Sequence, residues 1–247
     1  MGSKVGAPEK LIVNGKRLEG RKANEMREME IEVGVIPNAD GSSMVTLGGT
    51  KVICSVYGPK EVLPRRNLDT EQAFLNCVYG MASFSTSERI RPGPNRRSTE
   101  ISKVIADALA PAIFMEKYAG MEITVIMEII NANAGTRTAA INAASVALAD
   151  AGIEMKDLIC SIASGKADGT LMLDLFEPED NFGEVDMPLA ILPRTKEITL
   201  LQMDGMLTKA ESKKLIDMSI KACEEIYELQ KKALQKKYAT ETQQETE

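Results

Sequence analysis

MEITVIMEIINANAGTRTAAINAASVALADAG, residues 121–152, changes character twice within 32 positions. Its first ten residues are rich in β-branched side chains and read as a strand. NANAGT then breaks the run at Gly135, and TRTAAINAASVALADAG (136–152) follows as a helix of small residues. Strand, tight glycine turn and helix in that order set the reading of everything on either side.

Upstream, EMEIEVGVI (28–36) alternates as a strand, and the turn signal NADGS leads into SMVTL and TKVICSVYG, split by Gly48-Gly49. PKEVLPRRNLDTEQ (59–72) is a polar loop and AFLNCVYGM (73–81) a further strand. SFSTSERIRPGPNRRS (83–98) is irregular around Pro92-Gly93-Pro94 and sets Arg89, Arg91, Arg96 and Arg97 against a single acid, Glu88. From Ser98 or Thr99, Ile101, Val104, Ile105, Ala108 and Leu109 form a helical stripe that runs toward Gly120, with Pro111 bending or interrupting it. Downstream come two strands in DLICSIASGKADGTLMLDL, an acidic loop, and a strand pair in VDMPLAILPRTKEITLLQM. A long helix closes the chain, opened by the capping box Thr208 to Glu211. Strands with a helix, then strand, helix, strands and a long helix favour α+β layers over a doubly wound parallel sheet. The expected organisation is a flexible stretch at 1–10, one domain over 11–238, and a disordered acidic tail at 239–247.

Composition narrows the chemistry. With 247 residues, 44% hydrophobic and 27% charged, the chain is long enough to bury a large core. No uncharged apolar run approaches the ~18 residues of a membrane span, and the polar start lacks a signal-peptide core, so a cytoplasmic protein is expected. The widely spaced Cys54, Cys77, Cys160 and Cys223 suggest buried thiols, neither a zinc clip nor a disulfide framework. Histidine is absent, which excludes Ser-His-Asp and Cys-His catalysis and a histidine proton shuttle. Acid–base work is left to carboxylates, lysine, metal-bound water, or a substrate that brings its own nucleophile. A net charge of -6 argues against whole-surface nucleic-acid binding but leaves local basic patches open.

Three sets of residues carry chemistry. Gly135, Thr136 and Arg137 stand at a strand-to-helix junction, where free N–H groups, the helix dipole, a hydroxyl and a guanidinium suit a phosphate, although Gly and Thr also cap helices that bind nothing. The arginine loop, with Arg96 and Arg97 immediately before a helix, suits a phosphodiester backbone or is simply a charged surface loop. EPEDNFGEVDMP (177–188) holds five carboxylates, and is either a solvated turn or an acid site. If Asp180 and Asp186 converge to ~4 Å they repel by about 4 kcal/mol at an effective dielectric of 20, which calls for a shared proton or a cation. Oxygen ligands favour Mg2+ or Mn2+. Inorganic phosphate is already an anion near neutral pH, so phosphorolysis needs no strong base and fits all three sets.

NRRSTEISKVI, NANAGTRTAAINAASVALADAGI, SGKADGTLMLDL and EDNFGEVDMPLA, in this order, resemble the RNase PH family of phosphorolytic 3′→5′ exoribonucleases over roughly residues 11–238. GSSMVTLGGTKVICSVYGPKEV and the long terminal helix look most like the catalytic ring subunits of archaeal exosomes. The resemblance implies two pseudo-repeated β-α units similar to the second domain of ribosomal protein S five, with mixed sheets and helices. It also implies a hexameric ring of three heterodimers with a related non-catalytic subunit, RNA-binding cap proteins, and single-stranded RNA as substrate.

By the same resemblance Gly135, Thr136 and Arg137 form the phosphate-binding loop, and Arg97 with Arg96 contacts phosphate and the 3′-terminal nucleotide. Arg65 and Arg66 lie in a loop that helps form a constriction through which RNA reaches the site. Arg89, in the arginine loop, is a further candidate RNA contact. Asp180 and Asp186 share metal binding and protonation of the leaving oxygen, Asp180 preferred as proton donor and Asp186 as metal ligand. Pro188 stands where the polynucleotide phosphorylase branch has a lysine. A non-catalytic RNA-binding ring subunit and a hydrolytic metal-dependent nuclease are the competing readings.

Overall fold

A computed structural model describes residues 10–13, 15–63 and 69–244. A short hairpin, β1 (Ile12–Val13) and β2 (Lys16–Arg17), leads into β3 (Met29–Val33), β4 (Gly41–Leu47) and β5 (Thr50–Glu61). Next come β6 (Phe74–Met81), α1 (Arg96–Leu109), β7 (Met121–Asn131) and α2 (Thr136–Asp150). The first sheet runs β3-β4-β5-β7-β6. Its pairs are antiparallel except β6 with β7, which are parallel and are joined through α1, as a parallel pair requires a crossover.

The second half contains β8 (Cys160–Ala167), β9 (Thr170–Leu173), the short helix α3 (Glu177–Phe182), β10 (Val185–Leu192), β11 (Glu197–Leu201), β12 (Asp204–Gly205) and α4 (Lys209–Gln244). They form an antiparallel sheet in the order β11-β10-β8-β9, with β12 paired to β10 beyond the end of β11. The mixed α+β architecture expected from the sequence is the one observed.

α2 explains why its sequence is so poor in charge. From Thr138 to Leu148 every residue is buried, because the helix lies between the two sheets. Ser43 on β4 donates to the Ala143 carbonyl at 2.7 Å, while on the other side Asn142 donates to the Ser161 carbonyl of β8 at 2.8 Å and accepts from the Ser161 N–H at 2.9 Å. Alanines at 139, 140, 143, 144 and 147 let both sheets approach, and their side chains join residues of both sheets in one continuous core. The approach is closest at Gly41, where a Cβ would stand 2.4 Å from the Ala147 carbonyl oxygen.

Four expectations need correction. Arg96 and Arg97 do not precede α1 but open it, because Asn95 caps the helix and trades hydrogen bonds with Ser98 at 2.9 and 2.8 Å. α1 ends at Leu109, where Pro111 forces a 3-10 turn over 110–112. The acidic stretch is no loop: it contains α3 and the start of β10. α4 stays helical to Gln244, six residues into the stretch read as a disordered tail. The rest of the expected flexible start, and Arg65 and Arg66, lie outside the described residues. Cys54, Cys160 and Cys223 are buried and Cys77 is partly buried, with no disulfide among the described residues.

Candidate active site

The turn between β7 and α2 has two successive left-handed residues, Ala134 (φ 57°) and Gly135 (φ 64°). Gly135 is the N-cap of α2 and offers no side chain, so the N–H groups of Thr136, Arg137 and Thr138 belong to the orphan set of a helix start. Thr138 turns its hydroxyl inward to the Gly135 carbonyl at 2.9 Å. Thr136 instead accepts a 2.9 Å hydrogen bond from the buried Tyr79 hydroxyl, which holds its oxygen in place and leaves its own proton available to a ligand. Burial pushes the Tyr79 phenol up, so it remains a donor.

Arg137 is held on one edge. Its Nη1 donates to Gln202, and its Nη2 lies 3.6 Å from the half-exposed carboxylate of Glu100. Its Nε is buried and has no hydrogen-bond partner among the described residues. A buried N–H of a cation with nothing to bind is costly unless an anion arrives to fill the place.

These groups share a cleft of ≈ 390 Å³ with the acid pair: Arg97, Gly135, Thr136, Arg137, Asp180 and Asp186 all line it. Arg97 comes from the first turn of α1, Asp180 from α3, and Asp186 from β10. The cleft continues past Arg137 to Glu100, Gln202 and Asp204. Arg89 and Arg96 are exposed and are not among the residues lining it. Arg91 lines an adjoining cavity that shares Arg97.

The carboxylates feel one another. Asp186 is partly buried, and its carboxyl is pushed up to about 6, first by burial and then by the negative charge of Asp180, with Arg137 and Arg97 pulling it down and Asp204 pushing it up. The value lies above the ordinary 3.8, so the folded chain binds the proton more tightly. Stability contributed by this site therefore falls as pH rises from about 4 to about 6, and the whole penalty persists above. We expect Asp186→Asn to stabilise the metal-free protein at pH 8 by on the order of 2 kcal/mol and to flatten its stability between pH 4 and 6. Urea denaturation with a chelator present measures this.

Sequence reading missed Asp204, Gln202, Glu100 and Tyr79. Nothing in the sequence marks Asp204, and only the pairing of β12 with β10, which sets it opposite Asp186, brings it to the site. Pro188 also lines the cleft, at the place where β11 has ended and β12 pairs two residues away. Among the described residues no group of three or more His, Cys, Asp or Glu forms a ready metal cage. The donor set of Asp180 and Asp186 nevertheless fits Mg2+ or Mn2+, hard cations that take one or two carboxylates and draw their other ligands from water and phosphate. The mutual repulsion of the pair is what such a cation relieves.

A fold of two sheets around a buried helix, with an anion-suited helix start and paired acids lining one cleft, defines a site suited to phosphate groups. Residues 25–154 match the 3′ exoribonuclease family, domain 1, and residues 157–222 match its domain 2. The chain belongs to the RNase PH family of 3′ exoribonucleases. It is 51% identical over 237 residues to exosome complex component Rrp41 of Thermococcus kodakarensis, covering 95% of each chain. It is 50% identical to exosome complex component Rrp41 of Archaeoglobus fulgidus, covering 94% of this chain and 91% of the relative. Among solved structures, rice Rrp46 superposes with a TM-score of 0.80 at 22% identity, over 89% of this chain and 100% of that one. A chain of the Archaeoglobus fulgidus exosome with RNA bound to the active site gives 0.75 at 22%, over 87% and 92%. No helix among the described residues is long and apolar enough to cross a membrane.

Proposed function

We propose that this chain is the catalytic ring subunit of an exosome, shortening single-stranded RNA from its 3′ end by phosphorolysis. RNA of n nucleotides and inorganic phosphate become RNA of n−1 and a nucleoside 5′-diphosphate, and abundant diphosphates reverse the reaction into tailing. The observation that carries this reading is the convergence of the start of α2, Arg137 and Arg97 on the same cleft as Asp180 and Asp186. A phosphate dianion suits the Arg137 and Arg97 guanidiniums, the orphan N–H groups and the Thr136 hydroxyl together.

The nucleophile is then held by Thr136, Arg137 and Arg97 beside the terminal phosphodiester. One of its oxygens attacks phosphorus, the bond to the 3′-oxygen breaks in line, and Asp180 gives that oxygen a proton. Asp180, on α3, is exposed, whereas Asp186, on β10, is partly buried, and there burial and repulsion both call for a countercharge. Asp186, with Asp180, would hold Mg2+ or Mn2+, whose charge offsets the negative charge of the phosphates. A proton competes with that cation for Asp186. Its affinity for Mn2+ should hold steady above pH 6 and fall by about tenfold per pH unit below it, a decline that calorimetric titration at pH 5, 6 and 8 would reveal.

The Rrp41 relatives at about half identity are named as exosome components, which supports a ring with a related RNase PH-like subunit, assembled as three heterodimers and topped by RNA-binding caps. Free cysteines suit a reducing cytoplasm. The presence of both the arginine and the acid sets in one cleft disfavours a purely RNA-binding role. Incubation of the protein with its ring partner, Mg2+ and labelled single-stranded RNA, with and without inorganic phosphate, tests the reading. Nucleoside diphosphates that require phosphate support it, monophosphates formed without phosphate indicate hydrolysis, and binding without products indicates a scaffold.

A further inference from the structure

Two segments that meet in the cleft are tied together behind it by one buried guanidinium. Arg27 is 6% exposed and Asp174 is 1% exposed. Asp174 lies between β9 and α3 with φ 52°, a left-handed conformation uncommon for a residue with a side chain. Its carboxylate accepts from the Arg27 backbone N–H at 2.7 Å, from Nε at 2.9 Å and from Nη2 at 2.7 Å. The remaining nitrogen, Nη1, donates to the backbone carbonyl of Asn133, at the entrance of the turn before α2. A Cβ on Gly135 would lie 3.4 Å from Arg27 Nη2, so the guanidinium packs directly beneath that turn. Asn133 closes the circuit, because its side-chain oxygen accepts from the N–H of Glu177, the first residue of α3, at 3.3 Å.

The left-handed residues Ala134, Gly135 and Asp174 therefore flank the same cation. Such conformations persist where the surroundings over-determine them. Neither Arg27 nor Asp174 lines the cleft, so whatever they contribute passes through other groups.

We infer that Arg27 is a positioning residue: through Asp174 and Asn133 it sets the spacing between the phosphate-holding turn and the helix that carries Asp180. The inference rests on the phosphorolytic reading of the cleft. A rigid two-pronged Arg–carboxylate pair fixes direction as well as distance, which a lysine ammonium does not. Arg17 supplies an internal contrast. It donates to Glu179 at 2.7 Å and to the carbonyls of Leu173 and Asp174, each at 2.7 Å, and so braces α3 without touching the turn.

The test uses the assembled ring and reads kcat and the KM for phosphate separately. Arg27→Lys should raise that KM about tenfold and lower kcat about tenfold, and Asn133→Ala should move both the same way by about threefold. Arg17→Lys should lower kcat and keep the KM within about twofold of wild type. Loss of folded protein alone lowers apparent kcat and leaves KM where it was. A wild-type KM in both Arg27→Lys and Asn133→Ala would therefore overturn the inference. Calorimetric binding of inorganic phosphate needs no turnover. If the wild type binds phosphate but releases no diphosphates, the proposed reaction fails, while an approximately tenfold weaker affinity in Arg27→Lys still upholds the positioning role and an unchanged one refutes it. A wild type that neither binds phosphate nor turns over overturns both.

Discussion

Asp180→Ala should reduce single-turnover phosphorolysis by about 10²–10⁴-fold while leaving affinity for single-stranded RNA within a few fold, since a positioned general acid contributes that much to rate. The separation follows from charge. When ionised, Asp180 repels Asp186 and a polyanionic substrate, so removing it should leave the arginines' hold on the RNA backbone largely in place. The Asp186 carboxyl should drop back toward its ordinary range in the variant, because one of the two largest causes of its elevation is gone. Burial remains, so the return is incomplete. Filter binding and rapid-quench kinetics on the same preparation separate affinity from chemistry. A variant that degrades RNA at the wild-type rate would remove Asp180 from the mechanism.

Arg137→Ala should lower kcat/KM for phosphate by about 10²–10³, the range expected for losing a charged donor aimed at a reacting anion. Arg137→Lys should recover little of that loss. The site uses a planar cation whose Nη1 is spent on Gln202, whose Nη2 faces Glu100, and whose Nε is buried without a hydrogen-bond partner among the described residues. A lysine has one ammonium and cannot be anchored on one edge while presenting the other. Phosphate titration of the initial rate checks both variants, and a wild-type KM in Arg137→Ala would mean that the attacking phosphate lies elsewhere.

Much of the fold was legible because its signals are local. β7, the turn at Gly135 and α2 were readable within a window of some thirty residues, since β-branched runs, a glycine break and a small-residue helix act on neighbouring positions. The errors were equally local in origin. The cap of α1 is a reciprocal Asn95–Ser98 pair without the usual acidic partner, so the helix was started two or three residues late and Arg97 was assigned to a loop. α3 is six residues long, too short to show a helical period, and in sequence its acids read as a turn.

Chain order alone settled which kinds of residue this protein has for chemistry: arginines at or just ahead of two helices, paired aspartates, and no histidine to replace them. Tertiary structure decided which of those residues meet, bringing Arg97, Arg137, Asp180 and Asp186 into one cleft, adding Asp204 through a strand pairing, and setting Arg27 on Asp174 beneath the turn. It also decided how tightly Asp186 holds its proton. Propensity and capping act between neighbours along the chain, whereas Coulomb interactions and desolvation depend on distance through space and on exclusion of water, and the spacing of residues in a sequence encodes neither.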